Sequence, residues 1–266
     1  MKYVLVTGAN GGMGLAVVKR LLKEGYFVFA LDKNIDNLSF VAGNIMALQA
    51  DVTDIASIRE AFDKVRATTD CLYSVLHFAG IYLLDSLVEV DEKNFLKAFQ
   101  VNFFGVFRIN EVFFSLLKKG SRILIATSEL APLDPLPFTG IYALTKSVLD
   151  KYAYSLRMEV QLKGIDVCVL RPGAVRTDML DVSMEGLESF CANTKLYTCN
   201  AVRFKKVVES VESKNVPPQK VAVKVAKILS AKRPKYLYKI NRNPLLLLLN
   251  ALPKRWQTGI IRNILK

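Results

Sequence analysis

Histidine is nearly missing from this chain: His77 is the only one in 266 residues. That rules out a His-based metal cluster. Cysteine is scarce as well. Cys71, Cys168, Cys191 and Cys199 form no close C-x-x-C pair, and Cys71 and Cys168 fall in strand-like apolar runs, so a reducing, cytoplasmic setting is expected. The leucine run at 245–249 falls far short of the roughly 20 apolar residues that span a bilayer. No linker-like stretch suggests a second domain. Residues 2–6 already read as a strand running into a glycine loop, so no signal peptide is expected. Acidic residues are sparse in one region only. From 195 to 266, 17 Lys and Arg face Glu209 and Glu212 alone, a balance of +15, whereas the preceding 194 residues balance to −2. The net charge of +13 therefore belongs to the C-terminal quarter.

What is present is apolar and regularly spaced. Apolar residues make up 52% of the chain, which suits a sizeable core. Short runs of buried-strand type occur at 4–6, 26–31, 45–48, 72–78, 123–126 and 167–170, and 235–240 reads as a seventh strand. Helical stretches are expected at 15–22, up to Val65 with Thr53 or Asp54 as cap, from 91 to 117 with a break near Gly105, from Tyr142 onward, and at 219–230. Pro132, Pro135 and Pro137 keep the segment before Tyr142 irregular. This alternation predicts an α/β fold: one domain over 1–266, with a doubly wound parallel sheet of about seven strands and a C-terminal helical extension. Ligands of such sheets sit at the carboxyl ends of the strands. Every polar feature of interest falls there: Gly8 to Gly14, Asp32, Asp51, Ala79-Gly80, Ser128 and Pro172-Gly173. Turns and helix caps explain each feature singly but not their shared edge.

The first strand runs into Thr7-Gly-Ala-Asn-Gly-Gly-Met-Gly14, with the spacing G-x-x-x-G-x-G. Glycine lets the backbone turn tightly and approach a pyrophosphate, while the helix behind it presents free N–H groups. A strand before and an amphipathic helix after make this a cofactor-binding turn rather than a bare one. A second pattern, Tyr142-x-x-x-Lys146, lies at a helix start. Residues at i and i+4 share a helical face, so phenol and ammonium point the same way. A free phenol titrates at about 10, and moving its pKa by one takes about 1.4 kcal/mol. A fixed positive charge lowers that value, so the pair is expected to hold a phenol ready to exchange a proton with an alcohol.

Jointly, the turn from Thr7 to Gly14, Asp51-Val-Thr53, Ala79-Gly80, Asn102 in Val-Asn-Phe-Phe-Gly105, Ser128, Tyr142-x-x-x-Lys146 and Pro172-Gly173 with Thr177 resemble the short-chain dehydrogenases/reductases of the classical type. The resemblance covers residues 1–180, in order and at the right intervals. It implies a Rossmann-type sheet, a nicotinamide cofactor, and oxidation or reduction of a secondary alcohol or ketone. Carried over residue by residue, it makes Tyr142 the general acid/base. Lys146 lowers the Tyr142 pKa, helped by the positive nicotinamide, and bonds the ribose. Ser128, rather than the neighbouring Thr127, holds the substrate oxygen, and Asn102 kinks its helix and positions a water behind Lys146. The cofactor set is Gly8, Asn10, Gly11, Gly12, Met13, Gly14, Asp32, Asp51, Val52, Ala79, Gly80, Tyr142, Lys146, Pro172, Gly173, Val175 and Thr177, with Asp51 at the adenine edge and Val52 against the ring.

Where the family has an Asn pair before Ala-Gly, this chain reads His77-Phe78. His77 is expected to line the ribose or cap the strand, and Glu129 to be a solvated carboxylate. Asp32, at the end of the second strand, accepts from a 2′-hydroxyl and repels a 2′-phosphate. NAD is the expected cofactor and NADP the alternative, since Lys33 could partly neutralise a phosphate. Residues 178–215 read as the variable substrate segment, where Met179, Leu180, Met184, Leu187, Phe190, Leu196 and Tyr197 offer an apolar wall for a bulky lipophilic substrate. The tail, 241–266, is leucine-rich and basic with Trp256. It suits a helix packed over the pocket or against another subunit, or peripheral contact with anionic lipid; nucleic acid is not expected. Similar tails occur in the hydroxysteroid- and retinol-dehydrogenase-like branch of the family, which points to a hydroxysteroid or comparable substrate. The resemblance further implies a homodimer or homotetramer. The rival readings are a fatty-acid or polyketide-type 3-ketoacyl reductase and a non-catalytic nucleotide-binding sensor or scaffold.

Overall fold

The computed structural model describes the backbone of residues 1–266 and every side chain except those of 178–183 and Glu212. Seven strands are present: β1 (Tyr3–Thr7), β2 (Phe27–Asp32), β3 (Ile45–Gln49), β4 (Leu72–His77), β5 (Leu117–Ala126), β6 (Asp166–Pro172) and β7 (Leu237–Ile240). They form one sheet in the order β3-β2-β1-β4-β5-β6-β7, parallel at every pairing. Between them run α1 (Gly12–Lys23), α2 (Ile55–Thr68), α3 (Glu92–Phe99), α4 (Gly105–Phe113), α5 (Gly140–Val160), α6 (Asp178–Asn193), α7 (Thr198–Glu212) and α8 (Pro218–Ser230). The tail adds α9 (Pro244–Ala251) and α10 (Lys254–Leu265).

Successive strand residues face opposite sides of a sheet, and here both sides are buried. Leu5, Phe29, Val75, Ile123 and Val167 pack on one face with Ile58 of α2, Ile109 of α4 and Leu149 of α5. Val4, Val28, Leu76, Leu124 and Cys168 pack on the other with Val17 of α1 and Val225 of α8. This double burial explains why the strands read as continuous apolar runs. Strand order reverses between β1 and β4, which opens the crevice at their carboxyl ends.

β5 and the tail differ from their expected form, while the long helix breaks where expected. β5 begins at Leu117, six residues early, because the chain makes an irregularity opposite Leu72 rather than ending the strand. Gly120 takes φ +91° there, and the Ser121 hydroxyl donates to the Leu72 carbonyl at 2.7 Å. The long helix breaks at a π-helical turn, Gln100–Phe104, just before Gly105. Gly105 answers to packing instead, since a Cβ there would lie 2.8 Å from Val52 Cγ2. The tail is two helices, divided at Pro253, which has no N–H to continue α9.

Candidate active site

The glycine turn is shaped by close approach. Gly8 takes φ +67°, and a Cβ on it would sit 2.5 Å from the Ala79 nitrogen, so β1 and β4 can meet at this height only with glycine. A Cβ on Gly14 would fall 1.8 Å from the Gly8 carbonyl oxygen. Gly11 occupies the N-cap of α1 and supplies no side-chain acceptor to the first turn. Gly12 faces Thr177, whose Cβ would be 2.9 Å from a Cβ at position 12. Asp32 ends β2 and accepts from the Asn10 N–H at 2.9 Å, which ties the second strand end to the turn. Asp51 accepts from both the N–H and the hydroxyl of Thr53 and pairs with Lys33 at 2.9 Å. The bonds from Thr53 and Lys33 hold its carboxyl below the usual range despite burial. The Val52 side chain is packed into the core against Gly105, so Asp51 rather than Val52 offers its side chain at this edge.

At the next strand ends a single cavity brings together Met13, Gly80, Ser128, Tyr142, Lys146, Pro172, Gly173, Val175 and Thr177. Ser128 follows β5, and its hydroxyl, which accepts from the Leu130 N–H at 3.1 Å, lies in the same cavity as the Tyr142 phenol. Thr127 lines the same cavity but donates to Asp150 at 3.3 Å, and Asp150 is in turn held by Arg171 at 2.6 Å. Tyr142 sits in the first turn of α5, its ring edge-on to Tyr82 with centroids 4.5 Å apart. Lys146, one turn on, is 6% exposed and donates to the Ala126 carbonyl at 3.3 Å. Asn102 lies in the π-helical turn and is fully buried. It accepts from the Ile81 N–H at 2.8 Å and donates to the Ile81 carbonyl at 2.9 Å and the Thr145 hydroxyl at 3.0 Å. A Cβ on Gly80 would lie 3.2 Å from Asn102 Oδ1 and 3.5 Å from Lys146 Nζ. The widened turn thus braces β4, α5 and the Lys146 ammonium against one another.

The electrostatics depart from the expected activated phenol. Burial pushes Tyr142 up to about 12; the Ser128 hydroxyl opposes that rise and the Glu129 charge adds to it. Burial also brings Lys146 down to about 8. Its Nζ is 5.6 Å from the phenol ring centroid and spends its hydrogen bond on a backbone carbonyl. Burial and the Glu129 charge together outweigh the Ser128 hydroxyl, which alone pulls the phenol down.

Two side chains differ from expectation, one of them in part. His77 closes the end of β4, one of its two expected places, and does not line the cavity: it is 2% exposed, donates Nε2–H to Asn110 Oδ1 at 2.9 Å, and burial lowers it to about 4. Glu129 is buried, not solvated. Its Oε2 accepts from the Asn243 N–H at 2.7 Å, and burial raises its carboxyl above the usual range.

The apolar wall also differs. Met184, Leu187, Phe190 and Tyr197 pack into a cluster with Phe138, Phe204, Val208 and Leu265, of which Phe204 and Val208 also reach the cavity, and Leu196 is exposed; Met179 and Leu180 lie outside the described residues. The wall of the cavity comes instead from Phe204, Val207, Val208 and Val211 of α7 and Leu246 of α9. The helical spacing of those four α7 residues was the signal that could have found them.

The comparisons agree with this arrangement. A family model described as short chain dehydrogenase matches residues 2–187. The 3-ketodihydrosphingosine reductase of Bacteroides thetaiotaomicron is 26% identical over 257 residues, 96% of this chain and 93% of that protein. Estradiol 17-beta-dehydrogenase 2 of Mus musculus is 33% identical over 187 residues, 67% of this chain and 49% of that protein. Among solved structures, an alcohol dehydrogenase from the archaeon Thermococcus sibiricus, complexed with 5-hydroxy-NADP, superposes with a TM-score of 0.75 at 23% identity, covering 92% of this chain and 99% of that one. With a parallel sheet in this order, a glycine turn closed by backbone contact, and serine, tyrosine and lysine gathered at one rim, the chain belongs to the short-chain dehydrogenase/reductase family and is an oxidoreductase.

Proposed function

We propose that this protein interconverts a lipophilic secondary alcohol and its ketone with a nicotinamide dinucleotide, through Ser128, Tyr142 and Lys146. The observation that carries the reading is the meeting of Ser128, Tyr142 and Lys146 in one cavity at the strand ends. Two hydroxyls on one oxygen-sized position suit a carbonyl: Ser128 donates to its oxygen, and Tyr142 delivers the proton as that oxygen gains charge. Lys146 supplies a positive charge at the same end of the cavity, and Asn102, bonded to Ile81 and Thr145, keeps that end in register. A bound nicotinamide supplies the hydride and, in its oxidised form, a positive charge that favours the phenolate.

The residues present fit such a cofactor. The uncapped first turn of α1, the glycines at 8, 12 and 14, and Thr177 opposite Gly12 suit a pyrophosphate. Ala79 and Gly80 continue that edge, and Pro172, Gly173 and Val175 close it from β6. NAD is the favoured form: Asp32 ends β2, and Lys33, its one basic neighbour, is engaged by Asp51. The substrate reading rests on the apolar wall from α7 and α9, and on relatives named for a steroid and a long-chain keto lipid; residues 178–215 serve as the substrate segment of a single domain.

Two surfaces extend the reading. Phe104, Phe107, Leu144 and Val148 leave an apolar face exposed on the α4 and α5 side, which suits a second copy in a homodimer or homotetramer. Leu245, Leu248 and Trp256, each more than 60% exposed among Arg242, Arg255 and Arg262, suit an anionic lipid surface. No helix of the described residues is long and apolar enough to cross a membrane.

The test is oxidation of NADH and NADPH with steroid, long-chain and 3-ketoacyl substrates, in the parent and in Tyr142→Phe. Ketone-dependent oxidation lost in Tyr142→Phe, with NADH still bound, is expected. Equal turnover in both would reject the assignment, and binding without any turnover would favour the sensor.

A further inference from the structure

Among the described residues Glu129 is the one acidic side chain lining the cavity, and the proton transfer above does not use it. It directly follows Ser128, and it is 8% exposed. Much of the cavity wall is apolar, from Phe78, Ile81, Leu130, Leu136, Val208 and Leu246, and Lys146 is its one cation among the described residues. Its compensation is slight. Oε2 accepts from the Asn243 N–H, Arg242 acts only through its charge at longer range, and Oε1 lies against Gly173, where a Cβ would be 2.8 Å away. No lysine or arginine of the described residues forms an ion pair with it. A carboxylate in such surroundings is costly unless a partner arrives.

We infer that Glu129 is a specificity-determining residue whose carboxylate receives an ammonium group carried by the substrate close to the reacting carbonyl. The inference rests on the reductase reading and narrows its substrate class to lipophilic amino ketones. Glu129 lines the same cavity as Ser128 and Tyr142, and its charge is felt at the Tyr142 phenol. A carbonyl held between Ser128 and Tyr142 therefore places the carbons beside it within reach of that charge. A cation is favoured over a hydroxyl because two desolvated opposite charges offset each other's burial, whereas a neutral donor leaves the carboxylate charge unbalanced.

Three ketones of equal chain length test this: one with an amine on the carbon next to the carbonyl, one with a hydroxyl there, and one unsubstituted. The parent should show its highest kcat/KM on the amine. Glu129→Gln keeps an oxygen for the Asn243 N–H, and the amine-to-unsubstituted ratio of kcat/KM should fall about tenfold or more. An equal loss on all three ketones would reduce Glu129 to a tether for α9 and overturn the proposal, as would a parent with no preference for the amine. A second measurement does not depend on turnover. The matching long-chain amino alcohol should raise the melting temperature of the parent and of Tyr142→Phe, but not of Glu129→Gln. A shift that persists in Glu129→Gln, or is absent from the parent, also overturns the proposal. Failure of the reductase reading shows separately, as no ketone-dependent cofactor oxidation.

Discussion

The strand-end rim and the C-terminal quarter handle charge in opposite ways. At the rim each key charged group is held: Asp32 by the Asn10 N–H, Asp51 by Thr53 and Lys33, Asp150 by Arg171, and Lys146 by the Ala126 carbonyl. In the tail, Lys254 pairs with Asp134, while Arg242, Arg255 and Arg262 form no ion pair among the described residues and stand beside exposed leucines. The first arrangement fixes atoms for chemistry, since a buried group with a defined partner cannot wander. The second suits a surface that meets something larger than a substrate. The two regions are nonetheless fastened together. The irregular segment after Ser128 holds the tail through Glu129 on the Asn243 N–H, through the Asp134 N–H on Asn250 at 2.7 Å, and through the Lys254 pair. Leu246 of the tail then becomes a wall of the cavity.

Substitutions that separate the two regions sharpen this contrast. The largest effect belongs to the rim. Tyr142→Phe should lower kcat by roughly 10³-fold, read as NADH or NADPH oxidation, while fluorescence titration still detects bound cofactor. A loss confined to KM would instead make the phenol a binding group.

Next comes the core directly beneath the rim. His77 titrates near 4 in the fold against an ordinary value of 6.5. Between those values the unfolded chain binds more protons. The contribution is therefore fully present above pH 6.5 and is lost as pH falls toward 4, by on the order of 3 kcal/mol. Urea midpoints at pH 7 and 4.5 should show a fall that is smaller in His77→Gln; parallel falls in both proteins would place the acid sensitivity elsewhere. The C-terminal quarter has no histidine and should add nothing of this kind.

A smaller effect is expected at Asp32. Asp32→Ala should raise the NADPH-to-NADH ratio of kcat/KM about tenfold, and an unmoved ratio would assign cofactor choice to another group. The least effect on turnover should come from the tail surface. Leu245→Asp with Leu248→Asp should abolish cosedimentation with phosphatidylserine vesicles while turnover of a water-soluble ketone stays within about twofold. A matching loss of that turnover would show that the tail works as part of the rim rather than as a separate surface.

Much of the site was legible in order along the chain. All seven strands and the break in the long helix announce themselves by local pattern, and Ser128, Tyr142 and Lys146 meet in one cavity at strand and helix ends that spacing alone indicates. The seventh strand is shorter than its apolar run, Leu237–Ile240 against 235–240. The substrate wall was less legible. Leu187 and Phe190 fill a cluster, while Phe204 and Val208 belong to both cluster and cavity; helical spacing marks an apolar face in each helix, and only packing decides whether that face meets a cavity or a core.

Sequence by itself determined the alternation of strands and helices, the glycine turn, and the one-turn spacing of Tyr142 and Lys146, because each depends on backbone geometry within a few residues. Tertiary structure alone decided the charge states. The Glu129 carboxylate meets an N–H 114 positions away, His77 is walled in by elements on both sides of β4, and Tyr142 rises rather than falls because burial outweighs the Ser128 hydroxyl. Desolvation is a property of everything packed around a group, and most of what surrounds these side chains comes from distant parts of the chain.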